Sequence, residues 1–335
     1  MGAGAVGGTV GALLAQTGKD VVLLARGAHA AALRADGLTL ARPSGTSTVR
    51  IPVVERVQEL ELGEDDVLLL ATKSQDTAGL VADLAGRPVG GAAAGELLPL
   101  LLLQNGVDNE SEALRRFAHV HGVCVMLPAT HLEPGRIEAN GAPLPGVLEV
   151  GRYPSGVDDV DRAVCADLSA AGFLATVRED VMAWKRAKLL RNVGNALEAL
   201  AGRDLDEREQ AVMDELEAQA RAESERCYAA AGLGWVPDAE WVAHRKDRCS
   251  AQAVEGRGRQ GGSTWQSVSR GAGTVEADHL NGEIVLLGRL HGVPTPVNAL
   301  LQREVHALAR RRGAAGSVPP SVLRERLDRE SPAAH

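Results

Sequence analysis

Hydrophobic and polar residues in the first half of the chain follow the pattern of parallel α/β proteins. Short apolar runs, among them "VVLLAR", "DDVLLLAT", "LLPLLLLQ" and "HVHGVCVML", alternate with segments of helical spacing. In "TVGALLAQTGKD", Val10, Leu13 and Leu14 repeat at helical spacing, and Gly18 suits the end of that helix. Strands that are apolar on both faces are typical of a sheet covered by helices on both sides. The pattern therefore predicts a doubly wound parallel sheet.

The second half of the chain has long helical patterns and no clear strand runs. We predict one continuous helix over "VMAWKRAKLLRNVGNALEALAG", and further helices over "DEREQAVMDELEAQARAESERCYAAAG" and "GTVEADHLNGEIVLLGRLHG". The last residues are polar and contain a Pro-Pro pair, which is typical of a flexible end. The sequence thus predicts a first domain over 1–178, a helical domain over 179–314 and a flexible tail over 315–335.

The opening stretch "MGAGAVGG" carries the spacing G-x-G-x-x-G at Gly2, Gly4 and Gly7. In a dinucleotide-binding loop the first glycine permits a tight turn and the second lets the backbone approach the pyrophosphate. The third lets helix and sheet pack closely. The free N–H groups of the following helix would then face an anion. The predicted cofactor-binding residues of this loop are Gly2, Ala3, Gly4, Ala5, Val6 and Gly7.

Only Met1 precedes this loop, whereas a buried strand normally does. The sequence therefore predicts a Rossmann-type sheet whose first strand is missing. Loss of a central strand would cost on the order of several kcal/mol, comparable to the total stability of a domain. We accordingly expect the true start of the protein to lie upstream.

Two basic residues follow predicted strands where a bound dinucleotide would lie. Arg26 ends the second strand, where an acidic residue would favour NAD and an arginine favours the 2′-phosphate of NADP(H). The alternative is an ordinary surface arginine. Lys73 follows "VLLLAT" and would line the nucleotide cleft, and a solvated loop lysine is the equally simple alternative.

Composition excludes several classes of protein. The 335 residues are 45% hydrophobic and carry a net charge of −8, which does not favour nucleic acid as the main partner. Apolar runs are too short to span a membrane, and no secretory signal pattern begins the chain, so the cytoplasm is the expected compartment. The four cysteines are far apart, and His119 and His121 suit an ordinary strand, so we predict no metal site.

Three polar residues share one face of the helix predicted after residue 180. Lys188, Asn192 and Asn195 stand at i, i+4 and i+7, which brings an amine and two amides together. The chain has only five lysines among 36 basic residues, so a retained lysine is a candidate for chemistry that needs an amine. A solvated polar face would produce the same spacing, and the residues alone leave both interpretations open.

The order of these motifs resembles that of ketopantoate reductases (2-dehydropantoate 2-reductases) over nearly the whole chain, to about residue 310. The elements that carry the resemblance are "GAGAVGG", "LLAR", "ATKSQDT", "LQNGVDNE", "KLLRNVGN", "STWQS", "GTVEADHLNG" and "GVPTPVN". The resemblance implies that NADPH binds the glycine-rich loop, Arg26 and Lys73. It also implies a 2-keto acid as substrate, a homodimer as the assembly, and a role in pantothenate synthesis.

Five residues take further roles from this resemblance. Lys188 matches the catalytic lysine, which would donate a proton to the keto oxygen as negative charge develops there. Asn105 matches an asparagine between cofactor and substrate, and Asn192 matches a substrate-binding asparagine. Glu276 matches the acid that contacts the substrate hydroxyl. Ser263 matches the serine near the substrate carboxylate.

The chain departs from the family pattern at three places. Lys188 is chosen over Lys185 because it keeps the register K-L-L-x-N. Asn195 follows the lysine by seven residues rather than the usual eight, which is about 100° on a continuous helix. Thr264 is the alternative to Ser263 because one residue must be skipped to reach Glu276.

Two further hypotheses remain open. The altered asparagine spacing would suit a reductase of another 2-keto acid or related carbonyl compound. The missing first strand would suit a truncated, catalytically impaired homologue that binds nucleotide only.

Overall fold

The computed structural model describes residues 1–256, 258 and 261–330, and it divides the chain into two compact units. The first unit contains residues 1–185 and 236–256, and the second contains 186–235 and 261–330. The predicted boundary after residue 178 lies close to the first crossing of the chain. Residues 236–256 differ from that prediction, because they belong to the first unit.

The first unit is built on the predicted sheet. The strands of the described residues are β1 Leu23–Leu24, β2 Leu38–Arg42, β3 Gly45–Val49, β4 Val53–Val54, β5 Leu68–Leu70, β6 Pro88–Val89, β7 Ala92–Ala93, β8 Leu100–Leu102, β9 Val120–Met126, β10 Ala129–Thr130, β11 Arg136–Ala139, β12 Gly141–Pro143, β13 Val147–Arg152, β14 Leu174–Val177 and β15 Cys249–Ala251. The main sheet has the strand order β14-β13-β9-β8-β5. The neighbours β5, β8 and β9 are parallel, whereas β13 runs antiparallel to β9.

Helices cover the sheet and form most of the second unit. They are α1 Ala5–Gln16, α2 Gly27–Asp36, α3 Thr77–Ala85, α4 Ala94–Leu97, α5 Asn109–Leu114, α6 Asp159–Ala170, α7 Val181–Asn192, α8 Asn195–Ala201, α9 Glu207–Ala230, α10 Asp238–Arg245, α11 Ser263–Ser269, α12 Asn281–His291, α13 Pro296–Arg310 and α14 Pro320–Glu330. None of the helices in the described part of the chain is long and apolar enough to cross a membrane.

The apolar run of β8 explains why this strand is central. Leu100, Leu101 and Leu102 are fully buried. Successive side chains of a strand point to opposite faces. Leu100 and Leu102 accordingly belong to one core cluster and Leu101 to the other, so the sheet has a core on each side. The Rossmann-type architecture predicted from the continuous apolar runs is confirmed.

Residues at the start of the chain bond to strands on both sides. The Gly2 and Ala3 N–H groups donate to Leu24 O, at 3.1 and 3.3 Å. On the other side, the Ala71 N–H donates to Met1 O at 2.9 Å. β1 itself pairs with β4 rather than with the main sheet. Residues 1–3 therefore occupy the gap between β1 and β5, where a first strand would end.

The second unit corrects two predictions. The helix predicted over "VMAWKRAKLLRNVGNALEALAG" is interrupted by a turn at Val193 and Gly194, which separates α7 from α8. The predicted flexible tail contains α14. The Ser321 N–H and hydroxyl groups donate to the Glu209 carboxylate of α9 at 2.9 and 2.6 Å, and Leu323 of α14 is fully buried. Packing against α9 is what orders this helix.

Candidate active site

The glycine-rich loop has the steric properties that a dinucleotide requires. Gly2 has φ +84°, and a Cβ there would lie 2.7 Å from Thr72 N. A Cβ on Gly7 would lie 2.3 Å from Gly2 O, so helix α1 could not pack against the loop with any larger residue. At Gly4 the nearest atom to such a Cβ is His131 Nδ1, at 3.9 Å. Protein packing would therefore tolerate a side chain at position 4. A glycine at this position is explained by the close approach of a ligand to the backbone.

Helix α1 begins directly after this loop. Gly4 is its N-cap residue, and no side chain caps the helix. The first N–H groups of a helix have no acceptor within the helix, and its N-terminus carries partial positive charge. These features fit the pyrophosphate of a nicotinamide dinucleotide, which would supply the hydride chemistry when bound.

Arg26 follows β1 and is the N-cap residue of α2. Its side chain is 74% exposed and lies 3.9 Å from the Asp76 carboxylate, an exposed ion pair that holds it weakly. The neighbouring Gly27 N–H donates to Glu55 at 3.3 Å, and Arg34 forms an ion pair with Glu55 at 2.5 Å. Because Arg34 balances the charge of Glu55, the guanidinium of Arg26 remains suited to an additional phosphate.

A buried hydrogen-bond network joins the loops that carry Lys73 and Asn105. The Asn109 amide donates to Asn105 O at 3.1 Å and to Ser74 Oγ at 3.2 Å. The Thr77 hydroxyl donates to Asn109 Oδ1 at 2.8 Å. These loops follow the parallel neighbours β5 and β8, so both lie at the carboxyl end of the sheet, where ligands of such folds bind. The structure thus brings the Lys73 and Asn105 loops together at this end of the sheet.

In the second unit, Lys188 and Asn192 lie on α7 and Asn195 begins α8. All three are half-buried, whereas Leu189 and Val193 between them are buried. The turn at Val193 and Gly194 separates Asn195 from the helix that carries Lys188 and Asn192. The single continuous helix that was expected to carry all three residues is therefore wrong.

Lys185, the alternative to Lys188 as the catalytic lysine, forms an ion pair with a buried carboxylate. It is buried in the first unit, and its ammonium group donates a hydrogen bond to the carboxylate of Glu110, at the start of α5. Burial raises the pKa of Glu110, and the positive charge of Lys185 opposes that rise. A lysine that neutralises a buried carboxylate is poorly placed to donate a proton to a substrate, which favours Lys188.

Ser263 and Thr264 begin α11, a helix held against α8. The N–H of Gly262, the N-cap residue, donates to Glu198 Oε2 at 2.8 Å. Asn195 Oδ1 lies 3.4 Å from where a Cβ on Gly262 would stand, so Asn195 adjoins the start of α11. Thr264 is buried and Ser263 only half-buried. The greater exposure of Ser263 favours it as the residue that contacts a ligand.

Glu276 begins a 3-10 helix over Glu276–His279 and is only 6% exposed. It interacts electrostatically with Arg270, which follows α11. A buried carboxylate with a cationic neighbour can accept a hydrogen bond from a hydroxyl group, which is the role that the resemblance implies.

Sequence reasoning missed a buried polar network behind these residues. The Asn281 amide donates to Val193 O and to Asn298 Oδ1, both at 3.0 Å. The Asn298 amide donates to Glu223 Oε2 at 2.8 Å, and the Val297 N–H donates to Glu223 Oε1 at 2.9 Å. The network fixes the turn between α7 and α8, which Lys188 and Asn195 flank. The motifs "ADHLNG" and "GVPTPVN" contain Asn281 and Asn298 and were the sequence signal for this network. They do not reveal that Glu223 of α9 is its third member.

One group of metal-compatible side chains occurs among the described residues: His121, Asp158 and Asp161. Asp158 is the N-cap residue of α6, and its carboxylate accepts from the N–H groups of Val160 and Asp161. Asp161 completes the capping box and accepts from His121 Nδ1 at 2.8 Å. These hydrogen bonds link the start of α6 to His121 of β9.

A glycine-rich loop that leads into a helix beside a largely parallel sheet is typical of dinucleotide-binding proteins. Residues 1–155 match the family model described as ketopantoate reductase PanE/ApbA, and residues 180–309 match the model of its C-terminal domain. The chain belongs to this ketopantoate reductase family. It is accordingly an oxidoreductase that acts on a keto or CH–OH group, and the predicted family is confirmed.

Curated relatives match along almost the whole chain. A 2-dehydropantoate 2-reductase of Pyrococcus horikoshii is 28% identical, covering 92% of this chain and 95% of the relative. One from Halobacterium salinarum is 30% identical, covering 88% and 93%. A solved PanE/ApbA family ketopantoate reductase from Ralstonia eutropha is 27% identical with a TM-score of 0.75, covering 93% and 98%. D-mandelate dehydrogenase with NADH, at 21% identity and a TM-score of 0.75, shares the fold.

Proposed function

We propose that this protein reduces 2-dehydropantoate to pantoate with NADPH, a step that serves pantothenate and coenzyme A synthesis. The observation that carries the proposal is that each unit, taken by itself, has the candidate residues that the family pattern requires of it. One unit has a dinucleotide-sized glycine loop with Arg26 near it, and the other has Lys188 and Glu276 on the elements where the family pattern requires them. Curated relatives named for this reaction, similar along almost their whole length, support it.

In this proposal each polar side chain has one task. Lys188 donates a proton or hydrogen bond to the keto oxygen as negative charge develops there. Glu276 accepts a hydrogen bond from the substrate hydroxyl, and Ser263 contacts the substrate carboxylate. Asn105 and Asn192 orient the keto acid, because misplacement of the reacting carbon by 1 Å is costly. Arg26 and Lys73 hold the NADPH phosphate groups.

The test is a steady-state assay of NADPH oxidation with 2-dehydropantoate and with its analogue that lacks the 4-hydroxyl group. If Glu276 binds that hydroxyl, the analogue should lose kcat/KM by on the order of 10⁴-fold, because the buried carboxylate would lose the hydrogen bond that the site is built to accept. Equal kcat/KM for the two compounds would contradict the proposal.

A second candidate is the reduction of another 2-keto acid. The observation that favours it is Asn195, which stands seven residues after Lys188 and begins a separate helix beside Gly262. A different asparagine position would suit a substrate of different shape. The same assay, extended to a series of 2-keto acids, separates the two candidates by the compound with the highest kcat/KM.

We further propose a homodimer that forms through the helical unit. Leu286 and Leu290 lie four residues apart on α12 and are 49% and 68% exposed, which supports a contact with a second copy. Sedimentation velocity of the wild type and of Leu290→Glu tests this: the wild type should sediment as a dimer and the variant as a monomer. A monomeric wild type would contradict it.

A further inference from the structure

Two histidine rings are in contact next to the glycine-rich loop. His29 lies in the first turn of α2, and His131 follows β10. Their ring centroids are 4.2 Å apart, with the planes inclined at 49°. Neither residue belongs to the motifs from which the site was predicted.

The hydrogen-bond partners of His29 indicate which tautomer of its ring fits the structure. Nε2 lies 2.7 Å from the carbonyl oxygen of Ala3, and Nδ1 lies 3.0 Å from the N–H of Gly135. A carbonyl oxygen can only accept and a backbone N–H can only donate. His29 must therefore carry its proton on Nε2 and keep a lone pair on Nδ1, which is one tautomer of the neutral ring.

The bond to Ala3 O fixes a peptide plane of the loop. The C=O of Ala3 and the N–H of Gly4 belong to the same planar trans peptide and point in opposite directions. Holding the Ala3 oxygen toward His29 therefore directs the Gly4 N–H away from His29. Gly4 is the N-cap residue of α1, where free N–H groups face the expected position of the pyrophosphate.

The other ring nitrogen of His29, Nδ1, accepts a hydrogen bond from a short turn. Gly135 and His131 both lie in the connection between β10 and β11, and β11 pairs in parallel with β2. His131 Nδ1 stands 3.9 Å from where a Cβ on Gly4 would lie. The turn is thus joined to the loop through His29, and His131 of the same turn lies near Gly4.

We propose that His29 is a positioning residue for the dinucleotide pyrophosphate. The neutral ring bridges Ala3 O and the Gly135 N–H, and this bridge keeps the Gly4 peptide oriented with its N–H toward the phosphate. The proposal rests on the nucleotide site of the proposed function and adds a residue that acts through the backbone rather than by touching the cofactor.

The test measures the Kd for NADPH by nicotinamide fluorescence in the wild type, His29→Phe and His29→Gln. Phenylalanine keeps a ring but has neither donor nor acceptor, and Kd should rise about tenfold, the equivalent of one hydrogen bond. Glutamine supplies an amide donor and a carbonyl acceptor and should restore Kd to within about twofold of the wild type. At saturating NADPH, kcat should stay near the wild-type value in both variants. His119→Gln, at a half-buried histidine away from the loop, is the matched control and should bind as the wild type does.

Three results would overturn parts of the reasoning separately. A folded His29→Phe variant with wild-type Kd, or with a lowered kcat and unchanged Kd, would overturn the role of His29. If His29→Phe does not fold, imidazole ¹⁵N spectra of the wild type decide, since a proton on Nδ1 of His29 would equally overturn it. A wild-type protein that binds neither NADPH nor NADH would instead contradict the proposed function.

Discussion

Replacing Lys185 by methionine should destabilise the protein without removing a catalytic group. The Lys185 and Glu110 side chains are 2% and 0% exposed, and each is the ionic partner of the other. Methionine keeps much of the volume of lysine but leaves the Glu110 carboxylate buried without a counter-charge. Breaking a buried pair in this way costs about 3–5 kcal/mol, a large part of the roughly 5–15 kcal/mol that stabilises a typical protein.

The loss of unfolding free energy in Lys185→Met should increase with pH. Burial raises the pKa of Glu110 above its ordinary value of 4.5, and Lys185 opposes that rise, so the rise is larger in Lys185→Met. A raised carboxyl pKa means that the folded state binds more protons than the unfolded state, so stability falls as pH rises through the folded-state pKa. The destabilisation should therefore be largest at pH 8 and shrink toward pH 5.

Urea and thermal unfolding at pH 5 and pH 8 measure this effect, with Lys188→Met as the matched control. Lys188 is half-buried and lies one helical turn away, so its replacement should change stability by less than about 0.5 kcal/mol. It should lower kcat by about 10²–10⁴-fold. The double variant Lys185→Met, Glu110→Leu should recover most of the lost stability, because an apolar pair replaces an unpaired charge. Wild-type stability of Lys185→Met at pH 8 would refute the reasoning.

Three further predictions concern the cofactor loop and the helical unit. Gly7→Ala should lower the unfolding free energy by about 1–3 kcal/mol, because its Cβ would clash with Gly2 O. Gly4→Ala should leave Tm unchanged and weaken NADPH binding, because its Cβ meets no close protein atom. Equal Tm values for the two variants would contradict these steric roles of Gly4 and Gly7. Arg26→Asp should shift the ratio of kcat/KM for NADPH and NADH toward NADH, and an unchanged ratio would mean that another residue binds the 2′-phosphate. Glu223→Ala should cost about 1–3 kcal/mol in thermal unfolding, because the N–H groups of α13 lose a buried acceptor; an unchanged Tm would show that these groups find other partners.

The sequence was most informative where local geometry restricts the residue type. Gly2 and Gly7 could be assigned because a left-handed turn and a helix packed against backbone leave no space for a side chain. The apolar runs of β5 and β8 identified buried strands for the same reason, since a strand with cores on both faces favours apolar residues at every position. These features depend on residues close together in the chain.

The features that sequence reasoning missed depend on partners far apart in the chain. The sequence register favoured Lys188 over Lys185, but it gave no sign that Lys185 pairs with Glu110, 75 residues earlier in the chain. The turn between α7 and α8 depends on Asn281, which lies 88 residues after the Val193 oxygen that it binds. Helical spacing contains no information on such contacts, which is why one continuous helix was expected there.

The path of the chain between the two units bears on how this protein could be divided. Because residues 236–256 return to the first unit, the chain passes from one unit to the other three times. β15 in that segment pairs with β12, and His244 of α10 lies 2.6 Å from the buried Glu149 carboxylate. A fragment cut after residue 178 would lose both partners, although it contains the main sheet. The two halves are therefore not independent modules: neither can be excised, exchanged or transplanted as one contiguous piece of the gene.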